Sequence, residues 1–203
     1  KRKNKKEVTG QFGLDPDKPL VSFIGRLVGE KSADLLPDAI SQAIYQHHGK
    51  VNFLVLGSGD PNLEDRLDQM KHQFNGYYNA YIGYSEPLSH LMYAGSDFLL
   101  MPSRVEPCGL NQMYSLRYGT VPIVRRTGGL ADTVENFDRA AGRGTGIVFH
   151  DFDANGLRWA LNTTLDLYPN KHAWKQLVAN GMDQNYSWEE QGELYVKAFL
   201  KLL

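Results

Sequence analysis

Three charged side chains in this sequence have the types and positions needed to hold a phosphorylated, hydroxyl-rich ligand. Arg26 and Lys31 share one short loop after an apolar segment, and Glu106 follows another apolar segment much later in the chain. An arginine fork and a lysine ammonium held close together can clamp a pyrophosphate, and a carboxylate can hold sugar hydroxyls. These residues favour a nucleotide-sugar donor as ligand, although most Arg and Lys side chains are simply surface charges.

The motif around Glu106 reads PSRVEPCGLNQ and lies between an expected strand, Phe98–Met101, and an expected helix, Leu110–Tyr118. A side chain on such a turn can point out of the sheet edge, and Gly109 lets another molecule approach the backbone because it has no Cβ. The first amides of the helix lack partners within it, so they suit a phosphate. Two other roles for Glu106 stay open, which are pairing with Arg104 and capping of the helix.

Other residues after expected strands could belong to the same site. Tyr84 could stack on a base, although aromatic residues at strand ends are more often packed against neighbouring loops. Thr127, with Gly128 and Gly129, opens another helix start that could contact phosphate or sugar, whereas a lone Gly-Gly pair is usually only a turn. Cys108 has no His near it in the sequence to activate it, so we interpret it as a small residue lining the pocket and not as a nucleophile.

Composition limits the classes of function. The chain has 203 residues, of which 42% are hydrophobic, so it can bury a sizeable core as one large domain or a tight pair. A net charge of -1 gives no overall field for nucleic acid or an anionic membrane. The basic stretch Lys1–Lys6 is interpreted as part of a solvated linker, in preference to a nucleic-acid tail.

Several further classes lack their sequence signals. The single cysteine excludes an internal disulfide and fits a reducing cytoplasm. No apolar stretch approaches the ~18 residues that a membrane-spanning helix needs, and no signal-peptide pattern opens the chain. The six histidines show no metal-ligand spacing. Neither a Gly-x-Gly-x-x-Gly motif after the first strand nor a Walker-type loop is present, which disfavours a dinucleotide-binding redox domain and a nucleotide triphosphatase.

The apolar pattern predicts strands and helices that alternate along the chain. The predicted strands are 20–25, 51–57, 78–83, 98–101, 121–124 and 147–149. The predicted helices are 33–47, 62–74, 87–94, 110–118, 130–136, 153–167, 171–180 and 188–203. Strands that are apolar almost throughout indicate a parallel sheet covered on both faces. Ligands of such sheets bind beyond the carboxyl ends of the strands, so we expect the loops after the strands to converge on one rim.

The Glu106 motif and a second segment, YGTVPIVRRTGGLADTV at 118–134, resemble the C-terminal half of bacterial glycogen synthases and the related plant starch synthases. The resemblance runs from Leu20 to the last helix. It implies the C-terminal half of a GT-B glycosyltransferase, with a Rossmann-like parallel sheet and helices on both faces. Residues 1–18 would be a linker and 19–203 the donor-binding domain, whose last helix would pack towards an N-terminal domain expected to precede Lys1.

The resemblance also implies a role for individual residues. Arg26 and Lys31 would neutralise the distal phosphate of the donor, Tyr84 would lie near the adenine, and Glu106 would bind the glucosyl hydroxyls. The remaining substrate-binding positions implied are Cys108, Gly109, Leu110 and Asn111 beside sugar and phosphate, and Thr127 and Gly128 on the second glycine-rich rim.

The implied reaction is a retaining transfer of glucose from ADP-glucose to the non-reducing end of an α-1,4-glucan. UDP-glucose as donor, and a non-catalytic nucleotide- or glucan-binding module, stay open as alternatives. The donor is a substrate, so no cofactor and no metal are expected. Acceptor contacts would come mainly from the N-terminal domain, which would leave this chain alone inactive.

Two positions depart from the resembled pattern. Tyr114 stands where the broader retaining class often has a second glutamate, a substitution shared by the synthase branch. Ser32 stands where the family usually has Gly after the lysine of the clamp. Because Ser is less free than Gly to adopt a positive φ, the backbone next to Lys31 is the local feature that this departure brings into question.

Overall fold

Six parallel strands form one sheet in the computed structural model, which describes residues 1–202. The strands are β1 (Leu20–Ile24), β2 (Asn52–Gly57), β3 (Tyr78–Ile82), β4 (Phe98–Met101), β5 (Val121–Arg125) and β6 (Ile147–Phe149). Their order in the sheet is β3-β2-β1-β4-β5-β6. The chain therefore builds outward from β1 in one direction and from β4 in the other, and the direction reverses between these two central strands.

Helices cover both faces of the sheet, as predicted. They are α1 (Arg2–Gln11), α2 (Leu36–Gln46), α3 (Pro61–Gln73), α4 (Glu86–Gly95), α5 (Asn111–Arg117), α6 (Gly128–Thr133), α7 (Ala154–Leu167), α8 (Lys171–Met182) and α9 (Trp188–Leu200). One face of the sheet packs its buried side chains against α2, α3, α7 and α8. The other face packs against α1, α4 and α6. Strand side chains alternate between the two cores because successive residues of a strand point to opposite faces.

Helix α1 contradicts the prediction of a solvated linker at the start of the chain. It packs against α4, and Val8 is fully buried. The ammonium of Lys5 lies 2.6 Å from Oδ2 of Asp97, and both side chains are less than a tenth exposed. The same carboxylate oxygen accepts a hydrogen bond of 2.8 Å from the amide of Leu20. The charged sequence of α1 concealed this docking, because a buried acid 92 residues away provides the partner of its lysine.

Several predicted element bounds differ from those of the structure, and the largest differences, of three residues, are at three helices. The helix expected from Ala33 begins at Leu36, because Ala33–Leu35 forms a 3₁₀ turn. The helical segment expected at 130–136 is α6, which begins two residues earlier at Gly128 and ends three residues earlier at Thr133. Helix α9 ends at Leu200, and the last predicted helical residue, Leu203, lies outside the described residues.

Helix α9 buries none of its side chains within the described chain. Its apolar residues Leu194, Phe199 and Leu200, predicted to form one side, are all exposed. Packing of this helix towards another domain stays a prediction. Across residues 1–202, no helix combines the length and the apolar character needed to cross a membrane.

We expect Asp97→Ala to lower the free energy of unfolding by about 3 to 5 kcal/mol, because it leaves the buried ammonium of Lys5 without its partner. The matched control is Glu193→Ala, which removes a 3.7 Å pair with Lys197 in which both side chains are mostly exposed. Glu193→Ala should change the free energy of unfolding by no more than about 0.5 kcal/mol. Urea unfolding measures both, and equal stability of Asp97→Ala and the wild type would contradict a structural role for the pair.

Candidate functional site

The candidate site lies where the loops after β1 and β4 meet, at the reversal of strand order. Nζ of Lys31 lies 2.5 Å from Oε2 of Glu106, although the two residues are 75 positions apart. The hydroxyl of Ser103 donates to the same oxygen at 3.2 Å. Glu106 is only 7% exposed, so these donors replace the water that would otherwise stabilise its charge. The structure thus brings together the lysine and the carboxylate predicted for the site.

Both other roles considered for Glu106 are wrong. The guanidinium of Arg104 binds Asp34 instead, with N–O distances of 2.9 and 2.7 Å. The residue at the N-cap position of α5 is Leu110, and no side chain caps that helix. Glu106 is therefore free of the local pairings that the sequence allowed and is directed to the loop after β1.

A cavity of about 230 Å³ has this ion pair in its wall. Six of the predicted site residues line it, namely Arg26, Lys31, Glu106, Gly109, Leu110 and Asn111. The guanidinium of Arg26 is exposed and lies 3.2 Å from Oε2 of Glu30. The two residues of the predicted clamp and the predicted carboxylate therefore line one cavity, so the expected convergence is confirmed for the loops after β1 and β4.

A second cavity, of about 470 Å³, adjoins the first and shares Arg26 and Asn111 with it. Tyr84 belongs to its lining and is 84% exposed, so its ring is not packed against neighbouring loops. Tyr93 and Tyr114 lie on the same lining and contact each other edge to face. This mainly apolar space with aromatic walls can accept a flat ring.

Two cavity residues are also needed by the loop itself. The side-chain amide of Asn111 donates to the carbonyl oxygen of Ile24 at 2.7 Å, which ties the start of α5 to the end of β1. Gly109 has a φ of 75°, and a Cβ there would lie 2.5 Å from Oε1 of Gln112. The absence of a side chain at Gly109 therefore serves the backbone conformation as well as any close approach by a ligand.

The remaining predicted contacts lie next to the two cavities and not in their linings. Cys108 is exposed, and Sγ donates to the carbonyl of Gly109 at 3.5 Å. Thr127 precedes α6 and donates from Oγ1 to the carbonyl of Arg104 at 3.4 Å. Gly128 has a φ of 42°, and a Cβ there would lie 2.1 Å from the carbonyl oxygen of Glu106. These residues support the Glu106 loop, and their contacts to a ligand stay predictions.

Sequence reasoning missed Ser103 and Arg125. Arg125 ends β5 and donates to the carbonyl oxygens of Ser103 and Arg104, at 2.9 and 2.7 Å. The rule that carboxyl ends of parallel strands share one rim would have indicated Arg125. Ser103 gave no such signal, because hydroxyl residues are common in loops.

Ser32 stands where the resembled family usually has glycine, and it adopts the left-handed backbone conformation that glycine would allow. It has a φ of 54° and a ψ of 32°, and it ends the 3₁₀ turn Gly29–Lys31. The side chain is fully buried, and its hydroxyl makes no hydrogen bond to any residue in 1–202. The turn that carries Lys31 therefore stores strain at the next residue.

Comparison with known protein families shows which family has a sequence like that of this site. The profile of the family described as "Glycosyl transferases group 1" matches residues 4–179, a span that includes both loops of the site. The chain belongs to this family. The six-stranded parallel sheet of the chain has the Rossmann-like fold of the GT-B enzymes, as predicted.

Named relatives of the chain point to one branch of the family. It is 48% identical to a glycogen synthase from Flavobacterium johnsoniae over 98% of this chain and 41% of the relative. The chain thus spans about two fifths of the length of that relative. It is 32% identical to the catalytic domain of starch synthase IV from Arabidopsis thaliana bound to ADP and acarbose, with a TM-score of 0.86 over 98% of this chain and 42% of that one.

A third comparison concerns the fold alone. The C-terminal domain of a group 1 glycosyl transferase from Francisella tularensis is 15% identical, with a TM-score of 0.69. The match covers 88% of this chain and 89% of that domain. The resemblance to the glycogen and starch synthases noted from the two motifs is confirmed by the named relatives.

We expect Ser32→Gly to raise the free energy of unfolding by about 1 kcal/mol. The change removes the left-handed strain and an unpaired buried hydroxyl, and these gains exceed the loss that the greater backbone freedom of glycine in the unfolded chain causes. Ser32→Ala is the matched variant, since it removes the hydroxyl and keeps the Cβ. Thermal unfolding of the three proteins separates the two contributions. A less stable Ser32→Gly protein would mean that the Ser32 side chain holds the turn by contacts that outweigh its strain.

Proposed function

We propose that this chain is the donor-binding domain of a glycogen or starch synthase that transfers glucose from ADP-glucose to the non-reducing end of an α-1,4-glucan with retention. The observation that carries the proposal is the meeting of Lys31 and Glu106 in the wall of a cavity that Arg26 also lines. The glycogen synthase relative and the starch synthase structure with bound ADP support the choice of branch and nucleotide.

The charges of the site suit the departure of a nucleoside diphosphate. As the bond between the sugar and the diphosphate breaks, negative charge grows on the leaving phosphate oxygens. Arg26 and Lys31 are on the same loop before the reaction begins, so they stabilise this charge more in the transition state than in the ground state. Among these groups, Lys31 provides a compact ammonium and Arg26 a planar fork, which suits two neighbouring phosphates.

Glu106 gives the site its second function, which is to hold the sugar. Lys31 and Ser103 hold its carboxylate in place, and the carboxylate oxygens can accept hydrogen bonds from glucosyl hydroxyls. In the proposed reaction the leaving phosphate takes the proton of the acceptor 4-hydroxyl as the new glycosidic bond forms on the same face of the sugar. The reaction thus needs no separate base from this chain and no cofactor.

The second cavity is the proposed place of the base. Tyr84 lies on its lining with an exposed ring, and the shared residue Arg26 connects it to the cavity with the ion pair. A nucleoside diphosphate laid across the two cavities would put its ring beside Tyr84 and its phosphates beside the cations. The acceptor glucan would bind mainly through residues outside this chain, and the cytoplasmic location stays a prediction.

We expect the chain to bind ADP weakly and more tightly than UDP, and Lys31→Ala to weaken ADP binding by about tenfold through loss of a charge-assisted contact. Isothermal titration calorimetry with ADP and UDP measures this. The control is Lys71→Ala, which removes a lysine that pairs with Asp68 on the surface of α3. Unchanged ADP affinity in Lys31→Ala would contradict the proposal that Lys31 binds the diphosphate. Tighter binding of UDP than of ADP would indicate UDP-glucose, and not ADP-glucose, as the donor.

Elongation assays separate an enzyme from a binding module. We expect no elongation of an α-glucan by the purified chain, because acceptor contacts are proposed to lie elsewhere. A longer protein that contains the chain should lose elongation by orders of magnitude with Arg26→Ala or Glu106→Ala. Elongation by the chain alone would overturn the division of roles, and a longer protein with no elongation at all would identify a non-catalytic module.

A further inference from the structure

We infer that Arg104 is a positioning residue that locks the turn carrying Lys31 against the loop carrying Glu106, and that this lock sets how well the site holds a diphosphate. Arg104 does not line either of the two cavities, so it acts through the residues it holds. The ligand part of the inference rests on the proposed function, whereas the mechanical part rests on the contacts alone.

The guanidinium of Arg104 binds on both sides of Lys31. Nη1 donates to the carbonyl oxygen of Gly29 at 2.6 Å and to Oδ1 of Asp34 at 2.9 Å. Nη2 donates to Oδ2 of Asp34 at 2.7 Å. Gly29 begins the 3₁₀ turn that ends at Lys31, and Asp34 belongs to the next turn. One planar group therefore spans the segment that presents the lysine, which only the fork geometry of arginine allows.

The main chain of the two loops makes the same connection. The amide of Arg104 donates to the carbonyl oxygen of Glu30 at 2.8 Å, and the amide of Val105 approaches the same oxygen at 3.4 Å. The residue before Lys31 is thus bonded to the residues just before Glu106. Side-chain and backbone contacts together fix the separation of the two loops.

Arg104 is itself held by Arg125 and Phe152. Arg125 donates to the carbonyl oxygens of Ser103 and Arg104, which anchors the Glu106 loop to the end of β5. The ring of Phe152 lies 4.6 Å from the guanidinium carbon of Arg104 and 5.3 Å from that of Arg125. Each guanidinium lies over this ring because the electron-rich aromatic face attracts a cation.

The lock matters because the turn it holds is strained. Ser32 follows Lys31 in a left-handed conformation without the freedom of glycine, so the turn needs outside contacts to keep its shape. Release of Arg104 would let the turn relax and move the ammonium of Lys31 relative to Glu106. A charge displaced by about 1 Å from a phosphate loses much of its effect on the reacting group.

The test uses Arg104→Lys, which keeps the charge and removes the fork, and Asp34→Asn, which weakens the same contact from the other partner. The matched control is Arg66→Lys, since Arg66 pairs with Asp38 at 2.5 Å on the surface, away from the two cavities. Hydrogen exchange should speed up at the amides of Lys31 and Ser32 in both test variants, with exchange in β1 and β4 unchanged. Arg66→Lys should leave all of these rates unchanged.

Calorimetry on the same proteins tests the ligand part. We expect ADP affinity to fall about tenfold in Arg104→Lys and in Asp34→Asn, with no further fall when both changes are combined. Affinity for AMP, measured by competition, should change much less, because AMP lacks the distal phosphate assigned to the clamp. A general loss of structure would lower both affinities together, and this outcome would overturn the inference.

The two proposals fail in different ways. Unchanged exchange at Lys31 and Ser32, or unchanged ADP affinity in both test variants of a chain that binds ADP, would overturn the positioning role and leave the proposed function standing. A wild-type chain with no affinity for ADP would overturn the proposed nucleotide site, and the exchange rates alone would then decide the role of Arg104. If Arg104→Lys fails to fold, Asp34→Asn gives the same comparison.

Discussion

One ion pair across the reversal of strand order joins the two halves of the candidate site. Parallel strands all end at the same edge, and the chain leaves β1 and β4 in opposite directions, so a crevice opens between the loops that follow them. Lys31 reaches Glu106 across this crevice. A carboxylate as buried as Glu106 needs such a partner, because the loss of water around a charged group is costly unless another charge or hydrogen bond compensates for it. The topology therefore dictates where the pair forms, and the pair compensates for the burial of the carboxylate.

The loops around the ion pair of Lys31 and Glu106 are held by close backbone contacts. Gly128 approaches the carbonyl oxygen of Glu106 too closely for any Cβ, and Gly129 donates its amide to that oxygen at 2.9 Å. Ser32 holds a strained backbone beside the lysine. Strain of this kind persists only where neighbouring contacts fix it, as the fork of Arg104 does here. Rigidity at the edge of the sheet thus comes from hydrogen bonds between loops and not from a hydrophobic core.

Sequence alone predicted the parts of the molecule that depend on local pattern. The bounds of β4 and β6 agree with the prediction because a short apolar run between turn residues leaves little choice of where the strand begins and ends. The convergence of Arg26, Lys31 and Glu106 was predictable from the rule on strand ends. The docking of α1 was not, because burial of Lys5 depends on Asp97, which no local pattern connects to it. The αL conformation of Ser32 was indicated only by comparison with a family that usually has glycine there.

A growing polypeptide cannot assemble this crevice early. The wall formed by β1, β2 and β3 is complete once residue 82 has been made, since these strands pair only with one another on that side. The opposite wall needs β4, whose pairing with β1 joins Val21 to Phe98 and so closes a long loop. During translation the ammonium of Lys31 is therefore left in water until the segment with its acidic partner has emerged from the ribosome and docked. The ligand pocket is in this sense a late product of folding, since Lys31 is synthesised 75 residues before its acidic partner.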